Sequence, residues 1–203
     1  MLSSRILLAV SLVVGLASPS LSETWKIDSA HSSAQFSIKH MMISNVKGGF
    51  SKVSGTVTYD PKDPKASKVD ATIDVATVDT REAKRDDHLR SADFFDVAKY
   101  PTITFKSTKV VSASEGKLKV EGELTMHGVT KAVTLEVEGP STPIKDPKGN
   151  EKVGASATAT INRKDFDIIW NKAMDNGGVM LSEQVPVTID VELSKQPKVA
   201  EAK

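Results

Sequence analysis

The sequence predicts an all-β fold, an eight-stranded antiparallel barrel with a short helix between the third and fourth strands. About eight segments alternate apolar and polar residues, so each presents one face to a core and the other to solvent. Most connections between them are too short for parallel crossovers. Two packed sheets would fit the same pattern, but closure into a barrel removes exposed edge strands, and we therefore expect a barrel.

The predicted strands follow one another along the chain with few interruptions. They cover residues 33–39, 53–59, 69–75, 103–105, 117–126, 129–137, 153–161 and 185–193. In the first strand Ala34, Phe36 and Ile38 share one face. His127-Gly128 predicts a tight hairpin between the fifth and sixth strands. The charged stretch TREAKRDDHLRS, residues 80–91, predicts the short helix.

Many small residues fall on the predicted inward faces. They are Ala34, Gly55, Ala71, Gly122, Ala155, Ala157 and Ala159. The interior of an eight-stranded barrel is just wide enough to be filled by side chains or to hold one small ligand. Small residues fit both cases, since they leave room for a ligand or lie opposite large residues in a filled core. In a filled core Trp25, Phe94, Phe95, Phe166 or Trp170 would occupy the centre.

A ligand in such a cavity would meet apolar walls, because no charge falls clearly among the deep inward positions. This pattern predicts a chain-like apolar ligand. The residues expected to form the walls are Phe36, Ile38, Val57, Ile73, Val75, Phe94, Phe95, Phe105, Leu118, Leu124, Met126, Val133, Leu135, Ala157 and Ile189.

Polar residues of the predicted helix fit two roles at the barrel rim. Arg81, Arg85 and His88 are three to four residues apart and are expected to share a face, where Arg85 or His88 could meet a ligand head group. Alternatively, ion pairs and caps of the helix pin it to the rim. Phe94 and Phe95 follow, as core residues, as a lid over the entrance, or as both.

The ends of the chain predict export. Residues 1–22 have one positive charge, an apolar run too short to span a bilayer and small residues before Glu23, which together indicate a signal peptide. Residues 23–195 are expected to form one domain and residues 196–203 a flexible tail. The chain has no cysteine, which excludes disulfides and a lipoprotein anchor.

Composition and motifs disfavour other classes of function. The net charge of +1 and the absence of a basic stripe with aromatic platforms argue against nucleic-acid binding. None of the four histidines lies three to five residues from another, so no metal site is expected. No catalytic motif occurs, and we expect no enzymatic activity and no cofactor.

Several segments together resemble the YceI-like family across nearly the whole chain after residue 22. They are WKIDSAHSSAQFSIKH, GGFSKVSGTVTYD, VDTREAKRDDHLRSADFFDVAKYPTITFKS, GELTMHGVTKAVTLEV and INRKDF. The resemblance implies a lipocalin-like barrel, secreted to the periplasm, that binds polyisoprenoids, isoprenoid quinones or fatty-acid derivatives without catalysis. Similar proteins usually carry glycine at Asp167, which puts the local shape near Phe166 and Trp170 in question.

These observations predict a periplasmic protein that sequesters or carries one apolar or amphiphilic lipid. A non-catalytic, stress-related or protein-binding barrel with a filled core is the alternative. A homodimer formed through outer strands stays open in both cases. We also expect the segment 169–181, with its glycine pair, to form a mobile flap over one end of the cavity.

Overall fold

The structure is a computed structural model that describes residues 22–114, 116–175 and 177–197. Within these ranges it has twelve strands, one α-helix and three 3-10 turns. Nearly all of the predicted signal peptide and most of the predicted tail lie outside the described residues. The first tail residue, Gln196, donates its backbone N–H to the Thr24 carbonyl at 2.8 Å.

The strands are β1 (Glu23–Ile27), β2 (Ser33–His40), β3 (Ser44–Phe50), β4 (Val53–Tyr59), β5 (Lys68–Asp74), β6 (Val78–Asp79), β7 (Thr102–Ser114), β8 (Lys117–Met126), β9 (Val129–Glu138), β10 (Ile144–Lys145), β11 (Glu151–Asn162) and β12 (Gln184–Lys195). The helix α1 (Ala83–Arg90) lies between β6 and β7. The 3-10 turns cover Pro64–Ala66, Val75–Thr77 and Arg163–Phe166.

Eight of these strands close an antiparallel barrel, which confirms the predicted fold. Around the barrel the order is β1, β4, β5, β7, β8, β9, β11 and β12, and β12 pairs again with β1. The longest of these pairings, β11 with β12, runs from Lys152 opposite Ser194 to Asn162 opposite Gln184. Closure leaves these eight strands without a free edge along their paired length.

Three of the barrel strands are adjacent in the chain to a strand that extends the sheet beyond the barrel. β1 is followed by β2, β4 is preceded by β3, and β5 is followed by β6. β2 pairs with β12 at Val187–Asp190, beyond the stretch of β12 that pairs with β1. β3 pairs with β2, and β6 pairs with β3. The order β2, β3, β6 therefore repeats the order β1, β4, β5 of the adjoining barrel strands. The sequence pattern missed β1 and β3 because one is short and the other is polar and rich in glycine.

The apolar faces point inward and form the core. Trp25, Ile27, Val53, Val153 and Leu193 are buried at 1–4% exposure. The predicted hairpin between β8 and β9 is confirmed, since His127 and Gly128 alone connect them with φ of 51° and 76°. Positive φ at both central residues is the geometry of a type I′ turn.

The third predicted strand ends one residue earlier than expected. The Asp74 side chain accepts a hydrogen bond from the Ala76 backbone N–H at 3.0 Å, and Val75 begins a 3-10 turn. This local bond competes with strand pairing and ends β5. Val75 is 1% exposed and belongs to the core cluster.

The helix α1 is held against the barrel by hydrogen bonds to β6 and its flanks. The buried Asp86 carboxylate accepts from the Thr80 backbone N–H at 2.8 Å and from the Thr80 hydroxyl. Arg90 donates to the Val78 carbonyl at 2.8 Å and the Ala76 carbonyl at 3.1 Å. These contacts correspond to the predicted anchoring role of the charged helix.

The sequence left two roles open for the small inward residues, and at two glycines the structure supports close packing and not room for a ligand. A Cβ at Gly122 would collide with the Phe105 ring and lie 2.6 Å from the Lys106 carbonyl oxygen. At Gly55, φ is 139° and a Cβ would collide with the Asp70 carbonyl. Gly122 therefore makes space for a neighbouring aromatic ring, and Gly55 lets two strands approach.

We expect Gly122→Ala to destabilise the barrel by about 1–3 kcal/mol, because the new methyl group overpacks against Phe105 and the β7 backbone. Chemical denaturation of the purified variant measures this change. Gly154→Ala is the matched control, since its Cβ would meet the Val191 carbonyl oxygen at an ordinary 3.9 Å. Equal stability of the two variants would contradict the packing role of Gly122.

A network of charged groups joins the turn after β1 to the β11–β12 pair. Lys152 Nζ lies 2.9 Å from Asp28 Oδ2 and 2.9 Å from Glu192 Oε1. His31 Nδ1 lies 3.1 Å from Asp28 Oδ2. The hydrogen bonds from Lys152 and then His31 hold the pKa of the Asp28 carboxyl well below its ordinary value of 3.8.

This shift makes stability depend on pH. A carboxyl whose pKa is lower when folded adds stability above its unfolded pKa and loses it as the pH falls toward the folded value. We expect Asp28→Asn to lower the free energy of unfolding by about 1 kcal/mol at neutral pH. The difference from wild type should shrink between about pH 5 and pH 2, as denaturation across that range would show.

Asp63→Asn serves as the control, because Asp63 is exposed and makes no side-chain cap. Its stability should follow that of the wild type at every pH. A constant deficit for Asp28→Asn from neutral to acid pH would contradict the assigned charge effect.

Candidate functional site

The barrel encloses an apolar cavity of about 790 Å³. This volume lies within the roughly 300–1,000 Å³ typical of small-molecule sites. Every one of the eight barrel strands contributes to its walls, and so do β2, β3 and α1. The alternative of a filled barrel required side chains to occupy this interior, and they do not fill it.

Fourteen of the fifteen predicted wall residues line this cavity. They are Phe36, Ile38, Val57, Ile73, Phe94, Phe95, Phe105, Leu118, Leu124, Met126, Val133, Leu135, Ala157 and Ile189. Val75 does not line it, because the 3-10 turn after β5 carries this side chain into the surrounding core. Binding of a lipid by these residues stays a prediction.

The small residues of β11 contribute in part as expected. Ala155 and Ala157 line the cavity, together with Ala34 and Ala71, whereas Ala159 does not. The short side chains at these four positions widen the lumen. Ala157 lies in the middle of β11, opposite Val137 of β9 and Ile189 of β12.

Aromatic side chains and α1 line one end of the cavity. The His88 ring meets the rings of Phe94 and Trp170 edge-on, with centroids 4.9 and 5.1 Å apart. Phe95 packs edge-on against Phe50 with centroids 5.6 Å apart. Phe94 is 6% exposed and lines the cavity, so it is a core residue, and its role as a lid over the entrance stays a prediction.

The three predicted rim residues separate in the structure. Arg85 and His88 line the cavity, and both also make protein contacts. Arg85 Nε donates to the Thr80 hydroxyl at 2.7 Å, and His88 Nε2 lies 2.8 Å from Asp93 Oδ2. Arg81 precedes the helix, has a φ of 65° and is exposed away from the cavity, so the expected shared face was wrong.

A charged residue that the alternation did not reveal also lines the cavity. Arg163 is 4% exposed and belongs to the 3-10 turn after β11. The expectation of walls without charge was wrong here, because the period of two ends at Asn162 and says nothing about the turn. Burial lowers the pKa of the Arg163 guanidinium, and the nearby Glu183 charge acts in the opposite direction.

Two buried side-chain nitrogen atoms in the described residues make no hydrogen bond. They are Trp25 Nε1 and Arg163 Nη2. Both residues line the cavity. Unpaired buried donors are uncommon in folded proteins because each one costs free energy, so both mark places where a bound molecule could supply an acceptor.

The segment after the Arg163–Phe166 turn covers the same end of the cavity. Ile168, Trp170, Met180 and Leu181 line the cavity, which agrees with the position of the predicted flap. Asn171 holds the segment together through bonds of 2.8 and 3.0 Å to the Leu181 backbone. The mobility of this flap stays a prediction.

Asp167 adopts the left-handed conformation that a glycine would adopt, with φ of 58° and ψ of 15°. Its backbone N–H bonds to the Lys164 carbonyl at 3.1 Å. Aspartate tolerates this conformation better than most residues. The bend near Phe166 and Trp170 is therefore formed without the glycine.

Asp28, His31 and Glu192 are close enough in the described part of the chain to offer ligand atoms to a metal ion. Lys152 Nζ, however, lies 2.9 Å from both carboxylates. Its positive charge offsets one of the two negative charges of this cluster. Among the described helices, none has the length and apolar character needed to cross a bilayer.

Comparison with known proteins assigns the family. The family model of the YceI-like domain matches residues 25–193. A UPF0312 protein of Vibrio parahaemolyticus is 42% identical over 161 residues, which are 79% of this chain and 85% of the relative. An eight-stranded antiparallel barrel around an apolar cavity defines the class of fold, and this chain belongs to the YceI-like family.

Solved structures agree with the fold. The YCEI protein of Campylobacter jejuni is 35% identical, with a TM-score of 0.65 over 78% of this chain and 90% of that one. A polyisoprenoid binding domain from Saccharophagus degradans, implicated in plant cell wall breakdown, has a TM-score of 0.61. It is 17% identical, over 85% of this chain and 98% of that one, so the likeness concerns the fold.

Proposed function

We propose that this protein binds one polyisoprenoid or fatty-acid-type lipid inside its barrel and carries or sequesters it in the periplasm. The observation that carries the proposal is the apolar cavity of about 790 Å³. Its walls come from all eight barrel strands and carry few polar groups. Such a lining favours a chain-like molecule over a compact polar one.

The energetics of burial agree with this class of ligand. Transfer of one CH₂ group from water contributes about 0.8 kcal/mol, so a five-carbon isoprene unit contributes roughly 3–4 kcal/mol before ordering costs. Micromolar affinity corresponds to about 8 kcal/mol. Two or three units, or an acyl chain of similar carbon number, would therefore suffice.

In this proposal the mechanism is burial without chemistry. The polar residues of the cavity wall, such as Arg85 and His88, are engaged with Thr80 and Asp93 and form no nucleophile–base pair. The predicted signal peptide directs the chain to the periplasm, where apolar lipids need a protein shield to cross water. A homodimer is compatible with this function and is not required by it.

We expect the protein exported in a bacterial host to retain lipid through purification, because the cavity walls are poorly solvated when empty. Native mass spectrometry should show a mass added at one molecule per chain. Organic extraction and mass analysis then identify its chain and head group. A bare protein mass that stays unshifted after incubation with prenyl quinones, prenols and fatty acids would contradict the proposed function.

Ala157→Trp should weaken lipid binding at least tenfold, because the indole ring projects from β11 into the lumen and fills space that the ligand needs. The fold should persist, since the ring enters an existing cavity. Affinity is measured by displacement of the neutral dye Nile red, and stability by chemical denaturation.

Thr158→Trp is the matched control, because Thr158 neighbours Ala157 on β11 and is exposed on the outer face. It adds the same side chain outside the lumen and should leave lipid affinity within about threefold. Unchanged affinity in a folded Ala157→Trp variant would contradict binding inside the barrel.

A further inference from the structure

Arg163 is a buried cation in the wall of a largely apolar cavity. Its side chain is 4% exposed, although arginine is almost never buried unless it is paired. A guanidinium group stays charged in proteins even where burial lowers its pKa. A buried positive charge costs free energy unless an opposite charge or enough hydrogen bonds compensate it.

The hydrogen-bond partners of Arg163 compensate the charge only in part. Nε donates to the Ser182 carbonyl at 2.9 Å, and Nη1 donates to the carbonyls of Ile168 at 2.6 Å and Trp170 at 2.8 Å. All three acceptors are neutral. Nη2 is buried and makes no hydrogen bond.

No carboxylate of the described residues forms an ion pair with Arg163. The nearby Glu183 acts on it through its charge, but Glu183 Oε1 is bound to Lys164 Nζ at 2.6 Å. Arg163 therefore keeps both a net positive charge and a free N–H group. The group that would satisfy both is an oxyanion, which guanidinium binds with short, charge-assisted hydrogen bonds.

Arg163 lies at the end of the cavity that His88 also lines. Polar wall residues occur at the other end too, where Glu23 is paired with Lys195. The Trp170 carbonyl accepts from Arg163 Nη1, and the Trp170 ring meets the His88 ring at 5.1 Å. Arg85, one helical turn before His88, also lines the cavity. The apolar remainder of the lumen extends from this cationic end along the barrel strands.

We propose that Arg163 anchors the head group of the bound lipid, and that this head group is an acidic oxyanion, a carboxylate or a phosphate. The inference rests on the proposed function and narrows it to amphiphiles with an acidic end. Trp25 Nε1, the other unpaired donor, is neutral, so its lack of an acceptor costs less and does not select for charge.

Protein atoms enclose Nη2, so an incoming oxyanion must part the wall around it. The residues 168–170, which Arg163 itself holds through two carbonyls, lie outside regular secondary structure. In this proposal a shift of these residues opens the way for a head-group oxygen to Nη2. The acyl or prenyl chain then lies along the apolar walls.

The first experiment compares lipids that share a chain and differ only in the head group. Palmitic acid is paired with hexadecan-1-ol, and farnesyl phosphate with farnesol, each competing with Nile red for the delipidated full chain at neutral pH. We expect the acid of each pair to bind at least tenfold more tightly. The ¹H–¹⁵N signals of the Arg163 guanidinium should shift with the acids and stay in place with the alcohols.

The second experiment assigns the preference to Arg163. Arg163→Met should abolish the preference for acids, while affinity for the alcohols changes by less than about threefold. Arg163→Lys keeps the charge and provides a folded variant if Arg163→Met does not fold, and its preference should fall because the planar fork is lost. Lys172→Met, the control, removes an exposed positive charge that lies outside the cavity lining and should keep the preference.

The outcomes separate this proposal from the proposed function. Equal binding of acids and alcohols by the wild type would overturn the assigned head group and leave lipid binding intact. Arg85→Met tests the other arginine of the cavity wall. The role of Arg163 would be overturned if both Arg163 variants kept the preference for acids over alcohols, or if Arg85→Met lost it while the Arg163 variants kept it. Failure of all four lipids to bind would overturn the proposed function itself.

Discussion

The pairing of β11 with β12 is the constraint on which the rest of the structure depends. It joins Lys152 through Asn162 to Ser194 through Gln184 without a break in register. Because β12 also pairs with β1 and β2 on its other side, this one ladder closes the barrel and carries the extension beyond it. Closure then requires every strand to turn one face toward a shared interior.

Closure also explains why the interior stays open. In an eight-stranded barrel the opposing walls are just far enough apart to leave space for one ligand when the inward residues are small. Ala34, Ala71, Ala155 and Ala157 provide that space along the lumen. Gly122 and Gly48 act differently, because the Phe105 and Phe36 rings occupy the positions where their Cβ atoms would lie. Small residues thus serve both to widen the cavity and to seat the aromatic side chains that form its walls.

Charged groups outside the cavity and charged groups in its wall are compensated to different degrees. Asp28, Lys152 and Glu192 lie outside the cavity lining, and Lys152 bonds to both carboxylates and offsets one of their two charges. At the end covered by α1 and residues 168–181, charges are satisfied less completely. Arg85 and His88 have polar partners, whereas Arg163 has three neutral acceptors and one free donor. The cavity wall therefore contains a buried positive charge without a paired carboxylate, while most of the lumen is apolar, and this combination suits an amphiphile.

The sequence by itself determined seven of the eight barrel strands, the short helix, the hairpin at His127-Gly128 and fourteen of the fifteen wall residues. These features follow from a local rule, since alternate side chains of a strand point to opposite faces wherever the strand lies. The rule stops where a strand stops, so it assigned Val75 to the wall although the Asp74 bond to Ala76 turns the chain there.

Tertiary structure alone decided the rest. The continuation of β1 into β2 depends on pairing with β12, which lies more than 140 residues away along the chain. The burial of Arg163 depends on the carbonyls of Ser182, Ile168 and Trp170, which a turn and a distant loop bring around it. Whether a charge faces solvent or a cavity is set by such long-range contacts, and alternation within one strand contains no information about them.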